Sequence, residues 1–473
     1  MNTKDNIIFV LSLFPVFIIR SYFSFYEILT IIFLFLIIFI INFFLLKYIN
    51  QKKYIKLKFF YLSLILTLGI DNHLGLFNGL IQANINFFLK YFEIVYIPAF
   101  IILIFILLVF FIILKKTDYQ KSSIIFIVTI LSIFLFNIFD DSKSYKKIPY
   151  FNKQVKNKFQ KITLIMIWDE MSGMNSLSSE TKIGMEFNED LKKFFQKYKF
   201  KYYTNNFSNS GNSITSIISL LNFYEEIDQN IRNNHVSPSK NYFVEYNVEI
   251  NKLFEKFNSI SVIQNLHINY CNSKFVKKCY QYNPFDLQKI TAEVDGFSKI
   301  ISIWNLNGSI LGKFVWRSLK QLELITSILE PEGEKLFIKN IINYTKKEIL
   351  SEKYDLIFYH VLVPHKPFGF DKKCEYNLKI SNLNLFFNNE KSIKQHNIER
   401  KCVVEIMDNF LESLGNLDNK KIYFISDHGS RITRSENSFL STILGIKNFE
   451  SKSYKAIKDK TITQKIFKEN FNE

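Results

Sequence analysis

Residues Lys421-Ile422-Tyr423-Phe424-Ile425-Ser426-Asp427-His428-Gly429 decide the fold: a short, mostly apolar run breaks abruptly into Ser-Asp-His-Gly. Such a run reads as a buried parallel strand. Three others follow the same rule, at 162–168, 260–268 and 354–359. The first ends in Trp168-Asp169-Glu170, and the last runs into His360 and then Pro364-His365-Lys366-Pro367. Amphipathic stretches at 214–227, 335–350 and 398–414 supply helices between them. The predicted architecture of 161–473 is therefore an α/β domain with a doubly wound, mainly parallel sheet.

Ligands bind beyond the carboxyl ends of the strands in such sheets. Each strand end here carries carboxylate or imidazole, so Asp169, Glu170, Asp427 and His428 are candidate ligands of a divalent ion, zinc being favoured for an oxygen/nitrogen set. A nucleophile is sought next. Asn209-Ser210-Gly211-Asn212-Ser213-Ile214-Thr215 reads as a Gly-containing turn opening an apolar helix, which would place Ser213 or Thr215 among free amides that favour an anion. The alternative is that Ser213 is only the helix N-cap.

The first 145 residues have another character. Apolar runs at 7–25, 28–46, 57–70, 94–114 and 122–139 predict a bundle of about five membrane spans, the third being short. Lys47, Lys52, Lys53, Lys56 and Lys58 lie between the second and third, and Lys115, Lys116 and Lys121 between the fourth and fifth. Basic loops stay in the cytoplasm, so two spans must separate these two loops and the short third run is required. Everything after 139 then falls outside, joined through a basic linker at 146–160 to the domain at 161–473. A cleaved signal peptide fits less well, because Arg20 follows the first apolar run and no small-x-small site is evident. The stretch 71–93 falls on the outer side.

The net charge of +17 accompanies general enrichment in Lys, Ile, Asn and Phe, and no basic run is interleaved with aromatics as a nucleic-acid groove requires. Nucleic acid is excluded as a partner. Cys271, Cys279, Cys374 and Cys402 all lie in the exported part. Pairing Cys271 with Cys279 and Cys374 with Cys402 is the simplest of three connectivities, free buried thiols being the alternative.

The order strand then acid, nucleophile at a helix start, H-x-x-x-P-H-x-P (His360, Pro364, His365, Pro367) and S-D-H-G (Ser426 to Gly429) resembles the alkaline phosphatase/sulfatase superfamily. Within it, the membrane-anchored phosphoethanolamine transferases are similar over about 160–430 and in the preceding five spans. The resemblance implies that Asp169 (or Glu170), Asp427 and His428 hold one or two divalent ions, Zn2+ by expectation, and that Ser213 is both ligand and nucleophile. It favours Ser213 over Thr215 because family members place the nucleophile seven residues before a Leu-Leu pair, here Leu220-Leu221. His365 is implied as a catalytic residue on the transferring group or leaving oxygen; Thr215, His360 and Arg431 would line the substrate, His360 equally fitting a structural role. Sulfatases with this fold convert a Cys or Ser inside C/S-x-P/A-x-R, but Thr215 and Ile217 occupy the last two of those places, so the hydroxyl itself is expected to act. None of the 44 residues after Gly429 is the late His usual in the transferases; Arg431 and Arg434 are candidates to assist instead.

The implied function is transfer of a phospho-substituent, phosphoethanolamine by resemblance, from a membrane phospholipid to a cell-surface glycan or lipid A. The protein would be embedded in the inner (cytoplasmic) membrane with its catalytic domain on the periplasmic or extracellular side. Two alternatives stand beside this reading: a sulfatase-like hydrolase of phosphate or sulfate esters, and a non-catalytic envelope protein on a degenerate fold.

Overall fold

A computed structural model describes residues 3–13, 25–49, 54–74, 76–77, 96–117, 119–139, 153, 155, 158–176, 181–226, 235–238, 246–265, 267–281, 296–306, 309–329, 332–381, 390–432 and 436–472. Most of the linker and of the 71–93 stretch, together with Arg434, lies outside these residues. The chain divides into two compact units: Met1–Tyr145 with Thr291–Ser327, and Lys146–Ile290 with Ile328–Glu473. The sequence reading ran the second domain unbroken from 161 to 473. In the structure, residues 291–327 group instead with the N-terminal helices.

The first unit contains α1 (Thr3–Leu13), α2 (Phe25–Ile49), α3 (Ile55–Leu74), α4 (Tyr96–Lys116) and α5 (Tyr119–Phe139). Each overlaps one of the five apolar runs. Among the described residues one helical stretch, Ile28–Ile49, is by itself long and apolar enough to cross a membrane. Leu62, Ile65 and Leu66 of α3 pack with Ile8 and Phe9 of α1 and with Phe126 and Ile130 of α5 in a buried cluster. Lys58 of α3 pairs with Asp5 of α1 at 2.8 Å, so two buried charges neutralise one another within the bundle.

The second unit is built on eight strands: β1 (Ile162–Trp168), β2 (Lys201–Tyr203), β3 (Ile260–Gln264), β4 (Val276–Gln281), β5 (Leu356–Val361), β6 (Lys420–Ser426), β7 (Leu444–Lys447) and β8 (Lys455–Ile457). Their order is β8-β2-β7-β6-β1-β5-β3-β4. The run β6-β1-β5-β3-β4 is parallel throughout, while β7 is antiparallel to both its neighbours. The result is a mixed, parallel-rich sheet. β1, β5 and β6 are buried along almost their whole length, as continuous apolar runs require when both faces are covered.

Helices cover both faces. On one, Ile165, Ile167, Tyr423 and Ile425 share a core with Ile217 and Leu221 of the helix Ser213–Asn222. On the other, Phe194 lies 5.7 Å and Phe195 5.8 Å from Phe424, ring centre to ring centre. Those two rings come from α6 (Lys182–Lys197), which the sequence reading did not single out; Thr181 caps it through Gly184 N, and Phe187, Leu191, Phe194 and Phe195 form its buried stripe. Each such buried side chain contributes about 1.5–3 kcal/mol. The predicted strand 260–268 stops at Gln264, because the Asn265 side chain accepts from the amides of His267 and Ile268 and turns the chain.

Disulfides join Cys271 to Cys279 and Cys374 to Cys402.

Candidate metal centre and nucleophile

β1 and β6 run parallel with Trp168 opposite Ser426, so the next residues, Asp169 and Asp427, leave the sheet side by side. Both are buried, Asp169 at 1% and Asp427 at 5% exposure. One oxygen of Asp427, Oδ1, accepts from the amides of Glu170 (3.1 Å) and His428 (2.7 Å). The other, Oδ2, is buried and has no hydrogen-bond partner among the described residues. It lies 3.4 Å from His428 Nε2, and Asp169 Oδ1 lies 3.5 Å from the same nitrogen.

The His428 ring is fixed from behind. Its Nδ1 lies 2.6 Å from the Gly429 carbonyl, which assigns the proton to Nδ1 and leaves the Nε2 lone pair facing the carboxylates. Gly429 is required here, since a Cβ would stand 2.0 Å from the Ser438 carbonyl oxygen.

Ser213 completes the cluster. It opens α7 (Ser213–Asn222), but the N-cap is Asn212, whose side chain accepts from the amides of Ile214 and Thr215. That corrects the alternative in which Ser213 itself caps the helix. The Ser213 Oγ is free to turn inward, 3.0 Å from His428 Nε2 and 3.4 Å from Asp169 Oδ1. Among the described residues the Thr215 hydroxyl hydrogen-bonds to none of Asp169, Asp427 and His428.

Ligand atoms of Asp169, Asp427 and His428 lie within 4.8 Å of one another. Two buried carboxylates, one of them with an oxygen that has no hydrogen-bond partner among the described residues, and an imidazole nitrogen together form a cation nest whose ligand types fit a divalent ion. Without one, burial and the neighbouring charges of Asp427 and Glu170 push the Asp169 carboxyl well above its ordinary pKa.

Glu170 points elsewhere. Its backbone turns with φ 59, a left-handed conformation that is costly for a residue with a Cβ, and the His396 ring reaches its carbonyl at 3.1 Å. Its carboxylate lies 3.3 Å from Arg431 Nε and 3.7 Å from His365 Nε2. The structure therefore places Asp169, rather than Glu170, in the cation nest, and sets Glu170, His365 and Arg431 together beside it. Arg431 also reaches His428 Nε2 at 3.1 Å. His360 is not brought into this cluster by any described hydrogen bond: it is fully buried in β5, where its Nδ1 accepts from Tyr270 (2.8 Å) and Asn265 (3.3 Å). Burial lowers its pKa to about 4.

Several supporting residues escaped the sequence reading. Lys335 of α8 (Glu332–Leu350) donates to the carbonyls of His365 and Pro367, and lies 3.7 Å from Glu399 of α9 (Glu390–Ser413). Glu399 in turn accepts from the amides of Gly369 and Phe370, both at 2.6 Å. Two peptide bonds of this loop, Val363-Pro364 and Lys366-Pro367, are cis. The signal available was a charge on the apolar stripe of each helix, Lys335 before Ile338 and Glu399 before Cys402 and Val403.

No family model and no curated protein matches the sequence. Among solved structures, the chain is similar to the integral membrane lipooligosaccharide phosphoethanolamine transferase A (EptA) from Neisseria meningitidis, with 11% identity and a TM-score of 0.38 over 98% of this chain and 94% of that one. It is similar to the C-terminal periplasmic domain of EcEptC from Escherichia coli at 10% identity and TM-score 0.38, covering 68% of this chain and 84% of that one. The phosphonate monoester hydrolase of Agrobacterium radiobacter gives 10% and 0.39, over 66% and 74%. Likenesses this distant assign no role to any residue here. The solved structures similar to this chain thus include a phosphoethanolamine transferase and a phosphonate monoester hydrolase, of the superfamily that its sequence motifs resemble.

Proposed function

We propose that the chain is a membrane-anchored, metal-dependent transferase that carries a phospho-substituent on Ser213 from a phospholipid donor to a cell-surface glycan or lipid A. One observation carries this reading: the Ser213 hydroxyl stands 3.0 Å from His428 Nε2 and 3.4 Å from Asp169 Oδ1, at the edge of the cation nest. Asp169, Asp427 and His428 would hold the ion. When bound, a divalent metal, Zn2+ by preference, supplies Lewis acidity that favours the ionised form of the serine.

The Ser213 hydroxyl stands within reach of two acceptors, His428 Nε2 at 3.0 Å and Asp169 Oδ1 at 3.4 Å, and would pass its proton to one of them as the oxygen attacks. Ser213 Oγ then attacks phosphorus in line, the bond from phosphorus to the donor oxygen breaks, and the group remains on the serine. The acceptor hydroxyl repeats the displacement and frees Ser213. Arg431, held by Glu170, offers its guanidinium to the non-bridging oxygens; His365 stands on the same side to bind or protonate the leaving oxygen. Phosphoethanolamine is the group that the resemblance implies.

Five crossings from a cytoplasmic N-terminus would leave the catalytic unit outside. The basic residues at the start of the third helix support this. Mass spectrometry of the purified full-length protein tests the proposal. A Ser213 peptide bearing a phospho-adduct is expected, and its mass names the group. Acceptor labelling that persists in Ser213→Ala would overturn the assignment.

A further inference from the structure

The segment 291–327 has work to do in the first unit that the transfer chemistry does not explain. It forms a helical hairpin, Gly296–Leu306 followed by Ile310–Gln321. The arms touch closely, since a Cβ at Gly312 would stand 2.4 Å from the Trp304 carbonyl oxygen. The hairpin is tied to the end of α3. Asp71 accepts from Ile310 N at 2.6 Å with one oxygen and from Phe77 N at 2.7 Å with the other, while Asn72 accepts from Trp304 Nε1 at 3.0 Å. This end of α3 is remote from the basic loop at Lys52 to Lys58, so it is the outer end. The first arm also packs on α2, whose Ile32, Phe33 and Ile41 are 52%, 62% and 62% exposed.

The hairpin also carries exposed apolar side chains of its own. Phe314, Leu322 and Leu324 are 69%, 67% and 60% exposed. On the same arm Arg317 is exposed, Lys313 is half-buried and Lys320 is buried. Two of the chain's three tryptophans, Trp304 and Trp316, lie here. Large apolar side chains beside the exposed Arg317, on a hairpin tied to the end of a bundle helix, match the headgroup zone of a bilayer, where apolar groups enter to about 5–10 Å and cations meet lipid phosphate. We infer that this hairpin lies on the outer leaflet, with Phe314, Leu322 and Leu324 inserted among phosphate-bearing lipid headgroups. The inference rests on the membrane reading above.

Depth-dependent quenching distinguishes the two. The full-length protein carries an environment-sensitive label at one introduced cysteine, Phe314→Cys, Leu322→Cys or Leu324→Cys, in single-chain nanodiscs of phosphatidylcholine and phosphatidylglycerol. Ile41→Cys on α2 reports the membrane reading itself, and Met185→Cys in the catalytic unit, 55% exposed, reports water. Labels at 314, 322 and 324 are expected to lose most of their emission to a shallow (5-doxyl) lipid and less to a deep (12-doxyl) one, with no loss at 185. Quenching at 41 but not at the three hairpin positions overturns the hairpin inference alone. No quenching at 41 overturns the membrane reading and the inference with it. Stronger quenching of 314 by the deep lipid also overturns the inference, because the hairpin would then be inside the bilayer.

Discussion

Two buried charge clusters sit in the second unit, and they differ in where the counter-charge comes from. Behind the His365 loop, the chain supplies both signs: Lys335 donates to two backbone carbonyls, and Glu399 accepts from two amides through Oε1 while its Oε2 faces the Lys335 ammonium at 3.7 Å. At the strand ends, Asp169 and Asp427 converge on the His428 imidazole, and Asp427 Oδ2 is left without a hydrogen-bond partner among the described residues. A cluster neutralised by its own chain is scaffold. One in which two carboxylates meet with no lysine or arginine paired to either among the described residues calls for a cation from outside.

This contrast can be broken by substitution. The largest effect is expected at the nucleophile: Ser213→Ala should cut transfer at least about a thousandfold with little change in thermal midpoint, since the side chain lost is small. Steady-state transfer alongside a melting curve checks this. Retained turnover would move the chemistry away from the cation nest. Lys335→Met should instead cost stability, about 3–5 kcal/mol, by leaving Glu399 buried and unpaired. Adding Glu399→Gln should restore much of that loss, and a double variant no better than the single one would show that the pair is not the scaffold described.

A third test uses acid. The ordinary His pKa is near 6.5, and burial lowers that of His360 to about 4. Above pH 6.5 the residue is neutral both folded and unfolded and contributes nothing to the pH dependence. Below 6.5 the unfolded chain takes up a proton that the folded one refuses until about pH 4, so stability falls by about 3 kcal/mol across that window. His360→Asn should flatten this slope, and unfolding midpoints of the two proteins that decline in parallel between pH 7 and 5 would refute it. The smallest expected effect is that of Asn212→Ala, about 1 kcal/mol from loss of the helix cap, with a reduced kcat because the cap sets the position of Ser213.

The strand ends were legible in the sequence because burial on both faces compels unbroken apolar runs, and their termination marked Asp169 and Asp427 directly. The cap was not, because Asn212 and Ser213 are adjacent and either can fill that role. Helix α6 was obscured by Lys and Glu on its solvent face, although the spacing of Phe187, Leu191, Phe194 and Phe195 was present. The segment 291–327 was assigned to the wrong unit for a related reason: amphipathic periodicity states that a helix buries one face, and is silent about which partner covers it. Lys335 and Glu399 were passed over because a charge on an apolar stripe becomes informative only when its partner across space is known.

The two amides that grip Asp427 Oδ1 have a consequence for the isosteric change Asp427→Asn. The amide oxygen of the replacement would be drawn to those same two N–H groups, since its NH2 cannot accept from them. The NH2 would then be aimed at the very place a cation occupies, presenting the positive end of a dipole. Shape would be preserved while the local field changed sign. Zinc content of purified Asp427→Asn should accordingly fall to background, further than mere loss of one negative charge would bring it.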